Sequence, residues 1–181
     1  MVFLTGATGY MGRRLAAQLV RRGRPVTALV RQGSETKAPP GCTVAIGDAL
    51  NASSYRERVS KGCTFVHLVG VAHPSPAKAA EFQAIDLVSI RAAVEAARFA
   101  DVRHFIYVSV AHPAPVMEAY IAVRTEGESL IRSAGLNATI LRPWNGMFWD
   151  RDIGGRSCCC RCIGSWNEFR ERVSPPGGWA W

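Results

Sequence analysis

The chain has 181 residues, a hydrophobic fraction of 48% and a formal net charge of +8 at pH 7. This length suits one domain with a substantial core and is too short for two of ordinary size, and the composition excludes a wholly disordered chain. No apolar run approaches the roughly 20 residues that a membrane-spanning helix needs, and the N-terminus lacks the basic and apolar regions of a secretory signal. We therefore expect a cytoplasmic globular protein with no membrane partner.

The first 31 residues carry the pattern on which the functional interpretation depends. An apolar strand at residues 2–4 leads into TGATGYMG at residues 5–12, followed by a predicted helix at 13–22 and a second strand at 26–30. This is the order of a dinucleotide-binding site, whose glycines allow a tight turn, a close approach of the pyrophosphate and close helix packing. The helix N-terminus then faces the phosphates with its amide groups and the positive end of its dipole. We assign the following residues to this site: Thr5, Gly6, Thr8, Gly9, Tyr10, Met11 and Gly12.

The remaining sequence alternates between strand and helix patterns. Further strands are predicted over residues 43–46, 64–69, 104–109 and 138–141, and helices over 52–60, 79–99 and 116–133. The continuous apolar run at 64–69 is typical of a strand that is covered on both faces. This alternation predicts an α/β fold with a doubly wound parallel sheet (Rossmann-type), in three αβα layers, with the strand order 3-2-1-4-5-6.

The glycine spacing Gly-x-x-Gly-x-x-Gly, preceded by Thr5, resembles the short-chain dehydrogenase/reductase superfamily in its extended (epimerase/dehydratase) or atypical (NmrA-like) branches. Residues 47–48, 108–109, 120–124 with Glu128, and 139–143 match as well, so that the resemblance covers about residues 1–143. It implies NAD(P) binding and adds two groups of cofactor residues. These are Asp48, with Ala49 and Leu50, beside the adenine, and Leu68, Val69 and Gly70 where the backbone passes the cofactor ribose. The alternative for Asp48 is an ordinary loop residue.

The same resemblance implies an active site at Ser109, Tyr120 and Arg124. In the superfamily, a serine at the end of this strand orients a carbonyl or hydroxyl group, and a tyrosine on the next helix transfers the proton. A lysine four residues later activates the tyrosine and binds the nicotinamide ribose. Tyr120 and Arg124 have this spacing, which puts both side chains on one helical face. Arginine in place of lysine keeps the charge but changes the geometry, and the alternative is a tyrosine that only packs against the cofactor or the sheet.

The residue after the second strand indicates which nicotinamide cofactor binds. Proteins that bind NAD place Asp or Glu there to accept hydrogen bonds from the ribose hydroxyls, whereas this chain has Arg31. Because a guanidinium attracts the 2′-phosphate that a carboxylate would repel, we predict NADP in preference to NAD. The alternative is an arginine that merely ends a strand at the surface.

Beyond residue 144 the sequence loses any sustained helix or strand period. We predict an NAD(P)-binding Rossmann domain over residues 1–144, and an irregular tail over 145–181 in place of the family's substrate-binding region. A truncated or frame-shifted end is our interpretation, and a disordered or partner-dependent tail is the alternative. The tail contains four cysteines without the spacing of a zinc site, so we predict no metal. They are Cys158, Cys159, Cys160 and Cys162.

Three functions follow from these patterns. The first is an NADP(H)-binding reductase-like protein that moves a hydride to or from a carbonyl or alcohol carbon of a small, sugar-type or other substrate. The second, favoured by Arg124 and by the tail, is a non-catalytic protein that senses redox state or scaffolds a partner. The third is nucleic-acid binding through the arginines of the first 31 residues, which we do not expect because aromatic interleaving and a recognition helix are missing. The sequence indicates neither the substrate nor the oligomeric state.

Overall fold

The computed structural model of the chain describes residues 1–111 and 117–143. The predicted domain boundary, the tail and its cysteines lie outside these ranges. Six strands form one sheet: β1 (Val2–Thr5), β2 (Val26–Val30), β3 (Thr43–Ile46), β4 (Thr64–His67), β5 (His104–Val108) and β6 (Ala138–Leu141). Neighbouring strands pair in parallel in the order β3-β2-β1-β4-β5-β6. This arrangement confirms the predicted doubly wound Rossmann-type sheet.

Helices cover both faces of the sheet. The helical segments are α1 (Tyr10–Arg21), α2 (Ala79–Glu81), a π-helix (Phe82–Leu87), α3 (Val88–Phe99) and α4 (Glu118–Ser133). Ala16 of α1 packs with Leu4 and Val66 on one face. Ile90 of α3 and Val123 of α4 pack in the larger core on the other face. The predicted three-layer αβα architecture is therefore confirmed. No helix in the described ranges is long and apolar enough to span a bilayer.

A row of phenylalanines crosses the centre of the sheet on the face covered by α3 and α4. Phe3, Phe65 and Phe105 occupy matching positions on β1, β4 and β5, and successive ring centroids lie 5.2 Å apart. All three rings are buried, and aromatic contacts at this spacing add to the free energy gained from burying their area. The row thus fixes the three strands whose carboxyl ends carry the candidate site.

The predicted helix over residues 52–60 is wrong. Two 3₁₀ turns, Ala52–Ser54 and Arg56–Arg58, occupy this segment. The Ser54 hydroxyl donates to the carbonyl oxygen of Asn51 at 2.7 Å, and the Asn51 side chain accepts from the Ser53 amide. Short polar side chains that bond to nearby backbone groups in this way compete with α-helical hydrogen bonding.

Two other predicted helices differ in detail. The helix after the glycine turn begins at Tyr10 rather than Arg13, so the last part of the glycine motif is already helical. The run predicted over residues 79–99 is helical, but its middle section is the π-helix, in which hydrogen bonds span five residues. This section carries Phe82 and Asp86, which pack against α4.

Candidate functional site

The turn between β1 and α1 is built on two glycines that the packing of the chain requires. Gly6 has a φ of +74°, and a Cβ there would lie 2.8 Å from the carbonyl carbon of Leu68. A Cβ at Gly12 would overlap the carbonyl oxygen of Gly6 and lie 2.7 Å from the Cα of Ala7. Only glycine accommodates both the left-handed backbone and these close approaches.

Gly9 differs from the other two glycines because it is exposed at the start of α1. A Cβ there would meet only the Gly6 carbonyl oxygen, at 3.3 Å. The helix begins without a side-chain cap and has no acidic residue in its first turn. The first amides of a helix lack intrahelical acceptors, and the helix dipole is positive at this end. The surface over Gly9 therefore fits the pyrophosphate of a dinucleotide.

The other assigned residues of the turn divide between surface and interior. Thr8 is half-buried, whereas Tyr10 is exposed in the first turn of α1, with the Arg14 guanidinium carbon 4.4 Å from its ring centroid. Met11 is half-buried beside it. Thr5 is buried, and its hydroxyl lies 2.9 Å from Nδ1 of His67. The Thr5 side chain therefore forms its hydrogen bond in the protein interior.

The segment after β4 lies directly against the glycine turn. β4 ends at His67, so that Leu68, Val69 and Gly70 follow the strand at its carboxyl end. The Leu68 amide donates to the Thr5 carbonyl oxygen at 3.2 Å, and Gly6 packs on the peptide between Leu68 and Val69. The structure therefore brings the predicted phosphate-binding turn and the predicted ribose-side segment together.

His67, the last residue of β4, is a buried core residue. Its Nδ1 lies 2.9 Å from the Thr5 hydroxyl, and its Nε2 lies 3.3 Å from the Ser89 hydroxyl. Burial, assisted by the positive charge of Arg124, lowers the pKa of His67 to about 3. The imidazole is therefore neutral in the folded chain at neutral pH.

This neutral histidine predicts a pH dependence of stability. An unfolded chain protonates a histidine below about pH 6.5, but the folded chain does not protonate His67 until the pH approaches about 3. The free energy of unfolding should therefore fall on acidification, by up to about 1.4 kcal/mol per pH unit below pH 6. Urea unfolding of the wild type and His67→Gln at several pH values measures the slope. Equal slopes in the two proteins would contradict the assignment.

The adenine-side residues lie on the loops after β2 and β3. Arg31 is exposed immediately after β2, and its carbonyl oxygen accepts from the Ser34 amide in a turn. Glu35, which the sequence analysis missed, accepts from the Gly33 amide at 2.9 Å, and backbone hydrogen bonds lower its pKa. The loop after β2 thus carries both a guanidinium and a carboxylate.

Asp48 follows β3 and shapes its own loop. One carboxylate oxygen accepts from the Leu50 amide at 3.0 Å, and its backbone amide donates to the Ser54 hydroxyl at 2.8 Å. Asp48 is exposed, and Ala49 beside it is half-buried. These hydrogen bonds stabilise the loop after β3. The role of Asp48 beside the adenine stays a prediction.

Ser109 lies just beyond the end of β5, where its side chain is buried against α4. Its hydroxyl donates to a carboxylate oxygen of Glu128 at 2.7 Å. Arg142 binds both oxygens of this carboxylate, and Arg132 donates to it at 2.8 Å. Hydrogen bonds from Arg142, Ser109 and Arg132 lower the pKa of Glu128 to about 2. The bond from Arg142 has the largest effect. The ionised carboxylate therefore accepts the hydrogen bond of the Ser109 hydroxyl, whose oxygen keeps its lone pairs free to accept.

Tyr120 and Arg124 lie one turn apart on α4 and contact each other. The guanidinium carbon of Arg124 lies 5.0 Å from the centroid of the Tyr120 ring, which also packs against Phe82 at 5.0 Å. Tyr120 is half-buried, whereas Arg124 is buried. Arg124 donates to the Val108 carbonyl oxygen at 3.0 Å. No hydrogen bond or ring contact in the described part of the chain joins Ser109 to Tyr120, so the three predicted catalytic residues form two groups.

Asp86 is the partner of Arg124, and the sequence analysis did not identify it. Its carboxylate lies 2.5 Å from the guanidinium in a buried ion pair. Burial raises the pKa of Asp86, and Arg124 opposes this effect. Burial disfavours the charge of Arg124 too, but Tyr107, Tyr120 and Asp86 outweigh it and raise the pKa of the guanidinium. The available signal was an acidic residue on the apolar face of a predicted helix.

A metal centre is not formed by these residues. Within residues 1–111 and 117–143, no group of His, Cys, Asp and Glu side chains is placed to hold an ion. The cysteines of the tail lie outside those ranges.

The fold and the glycine turn define a Rossmann-type dinucleotide-binding protein. A family model described as NAD(P)H-binding matches residues 6–157. The chain therefore belongs to this NAD(P)H-binding family, and the resemblance to the short-chain dehydrogenase/reductase superfamily is confirmed.

Individual relatives agree with this assignment. The ceramide reductase of Caulobacter vibrioides is 32% identical over 146 residues, covering 79% of this chain and 45% of that protein. The 4-hydroxy-2-methyl-3-oxo-4-farnesyl-3,4-dihydroquinoline-1-oxide ketoreductase of Stigmatella aurantiaca is 28% identical over 164 residues, covering 78% and 48%. The chain spans about half the length of these curated relatives.

Solved structures show the same fold. The crystal structure of a short-chain dehydrogenase/reductase superfamily protein from Agrobacterium tumefaciens with bound NAD has a TM-score of 0.62 and 24% identity. The match covers 78% of this chain and 48% of that one. At this identity the likeness supports the fold alone.

Proposed function

We propose that this chain binds NADP(H) and carries the cofactor side of a reductase site that acts on a carbonyl or alcohol carbon of a small molecule. The observation that carries the proposal is the contact of Tyr120 with a buried cation, Arg124, on the helix after β5. The two reductases among the relatives support the reaction class. The ion pair between Arg124 and Asp86 favours the alternative, a non-catalytic redox sensor or scaffold.

Ser109 and Tyr120 have separate roles in the proposed site. When bound, the nicotinamide supplies a hydride donor or acceptor for the substrate carbon. In reduction, the Tyr120 hydroxyl gives a proton to the substrate oxygen, and in oxidation it takes the proton back. The Ser109 hydroxyl donates to Glu128, and to orient the substrate oxygen it would redirect this hydrogen bond to that oxygen. Ser109 thus orients the oxygen and Tyr120 moves the proton.

Tyr120→Phe tests the catalytic role. We expect turnover to fall by about 100-fold or more, because general acid–base catalysis contributes that much, while the Kd for NADPH changes less than about twofold. Oxidation of NADPH with a panel of ketones and aldehydes measures turnover, and calorimetry measures binding. Tyr55→Phe, in the core beside Phe3, is the matched control and should keep wild-type turnover. Unchanged turnover in Tyr120→Phe would remove Tyr120 from the mechanism, and no turnover in the wild type would favour the sensor.

Arg31 tests the cofactor preference. Arg31→Ala should weaken NADPH binding by about tenfold, a free energy of about 1.4 kcal/mol, because the charged contact with the 2′-phosphate is lost. NADH binding should change less than about twofold, since NADH has no 2′-phosphate. Arg24→Ala removes an exposed arginine before β2 and is the matched control. Equal losses for the two cofactors would contradict the role of Arg31.

The remaining expectations stay predictions. They are a cytoplasmic location, a small-molecule substrate, and the absence of nucleic-acid and membrane partners. A steep fall of nucleic-acid affinity with salt, with no competition from NADPH, would support the third function instead.

A further inference from the structure

Asp86 joins α4 to the loop that follows β4. One oxygen of its carboxylate lies 2.5 Å from Nη2 of Arg124, and the other accepts from the Val71 amide at 2.9 Å. A Cβ at Gly70 would overlap the Arg124 guanidinium and lie 3.1 Å from the Asp86 carboxylate. The ion pair therefore lies directly beneath Gly70, in the segment predicted to pass the cofactor ribose.

The donors of Arg124 point into the protein. Nη2 binds Asp86, and Nη1 binds the carbonyl oxygen at the end of β5. Nε is buried, and no partner for it lies in the described ranges. The Tyr107 ring centroid is 5.7 Å from the guanidinium carbon on the sheet side. Nη1 and Nη2 are therefore each bonded to an acceptor inside the protein, beneath Gly70.

The π-helix and α4 face each other through two matched pairs of side chains. Phe82 and Asp86 are four residues apart, as are Tyr120 and Arg124. Phe82 packs on Tyr120, and Asp86 binds Arg124. One edge of the π-helix thus holds both the predicted proton-transferring residue and the cation beside it.

We infer that Asp86 is a positioning residue that holds Arg124 beneath Gly70 and against Tyr120, and so keeps the guanidinium away from the cofactor ribose. The inference rests on the proposed function, because it specifies how Arg124 serves that site. The charge beside Tyr120 is retained, but the ribose contact that the resemblance implies is not made by Arg124. A carboxylate within the π-helix, rather than the cofactor, determines where the cation lies.

NMR of the full chain, with nitrogen-15 in its arginine side chains, tests the inference by following the Nη resonances of Arg124. A guanidinium held by two directional bonds rotates slowly, so Arg124 should give separate Nη resonances. Arg124→Lys keeps the positive charge and should remove these resonances, which assigns them. Asp86→Asn should merge them at the averaged position of free arginines, and saturating NADPH should leave them unmoved in the wild type.

Each outcome decides one part of the inference. Separate Nη resonances that persist in Asp86→Asn would show that Asp86 does not hold Arg124. Resonances that shift on addition of NADPH would place the guanidinium at the cofactor. If circular dichroism shows that Asp86→Asn is unfolded, Asp86→Glu moves the carboxylate by one methylene, and unchanged Nη resonances there would overturn the inference. Failure of NADPH to bind would refute the proposed function, whereas the comparison of wild type and Asp86 variants needs no cofactor.

Discussion

Replacing Gly12 with alanine should destabilise the fold by about 2–3 kcal/mol or more and abolish NADPH binding. The added methyl group would overlap the Gly6 carbonyl oxygen and the backbone of Ala7. These are backbone atoms of the turn itself, so they cannot move aside as the end of a flexible side chain would. Relief of the overlap requires α1 to move away from β1, which displaces the helix N-terminus from the phosphates. Urea unfolding and calorimetric titration with NADPH measure the two effects.

Gly9→Ala is the matched control for Gly12→Ala. Its methyl group would lie 3.3 Å from the Gly6 carbonyl oxygen and otherwise face open surface. We expect the free energy of unfolding to change by less than about 1 kcal/mol, because alanine is only a poor N-cap, and NADPH affinity to fall by about tenfold or more. Wild-type affinity in Gly9→Ala would show that the pyrophosphate does not approach here. Wild-type stability in Gly12→Ala would contradict the packing of the turn.

The sheet was predictable because its determinants are local or general. Apolar runs of three to six residues predict each strand, and the handedness of parallel crossovers then restricts the strand order. The 3₁₀ turns around Ser54 and the π-helix around Asp86 were not predictable in this way. In the first, side-chain hydrogen bonds compete with a helix, and in the second, packing against α4 determines a feature that has no sequence period.

The residues of the candidate site also divide into those that a local pattern predicts and those that it does not. The spacing of Tyr120 and Arg124 is a property of one helix, and the sequence predicts their contact. The partners Asp86 and Glu128 lie 38 and 19 residues from the side chains that they bind. Pattern analysis does not predict such pairs, although Glu128 belongs to a matching stretch of the superfamily. The sequence therefore identifies Ser109 and Arg124 as candidates. It does not identify the carboxylates that accept their hydrogen bonds.

A buried series of polar contacts connects the glycine turn to α4. The Thr5 hydroxyl contacts His67, whose other nitrogen contacts the Ser89 hydroxyl. That hydroxyl donates to the Asp86 carbonyl oxygen at 3.0 Å, and Asp86 binds Arg124. Because polar groups buried in a low-dielectric interior are costly when unpaired, this series favours one arrangement of its members. The phosphate-binding turn and the cation beside Tyr120 are thus held by a common set of contacts.

Breaking the Asp86–Arg124 pair should have the largest effect on stability. Arg124→Met leaves a buried carboxylate without its cation and should cost about 3–5 kcal/mol at pH 7. The double variant Asp86→Asn with Arg124→Gln leaves two neutral groups that can still bond to each other, and should cost less than the two single changes added together. Urea unfolding of the wild type, Asp86→Asn, Arg124→Gln and the double variant gives the coupling free energy, and additive effects would contradict a direct interaction.

The sign of the pH dependence provides a further check on this pair. Burial raises the pKa of Asp86, and Arg124 is the main influence that opposes it. Without Arg124, the folded chain should bind a proton at Asp86 more readily than the unfolded chain, so acidification should stabilise the folded state. The destabilisation of Arg124→Met relative to the wild type should therefore shrink between about pH 8 and pH 5. A destabilisation that grows over this range would mean that the carboxylate reaches solvent or another cation once Arg124 is removed.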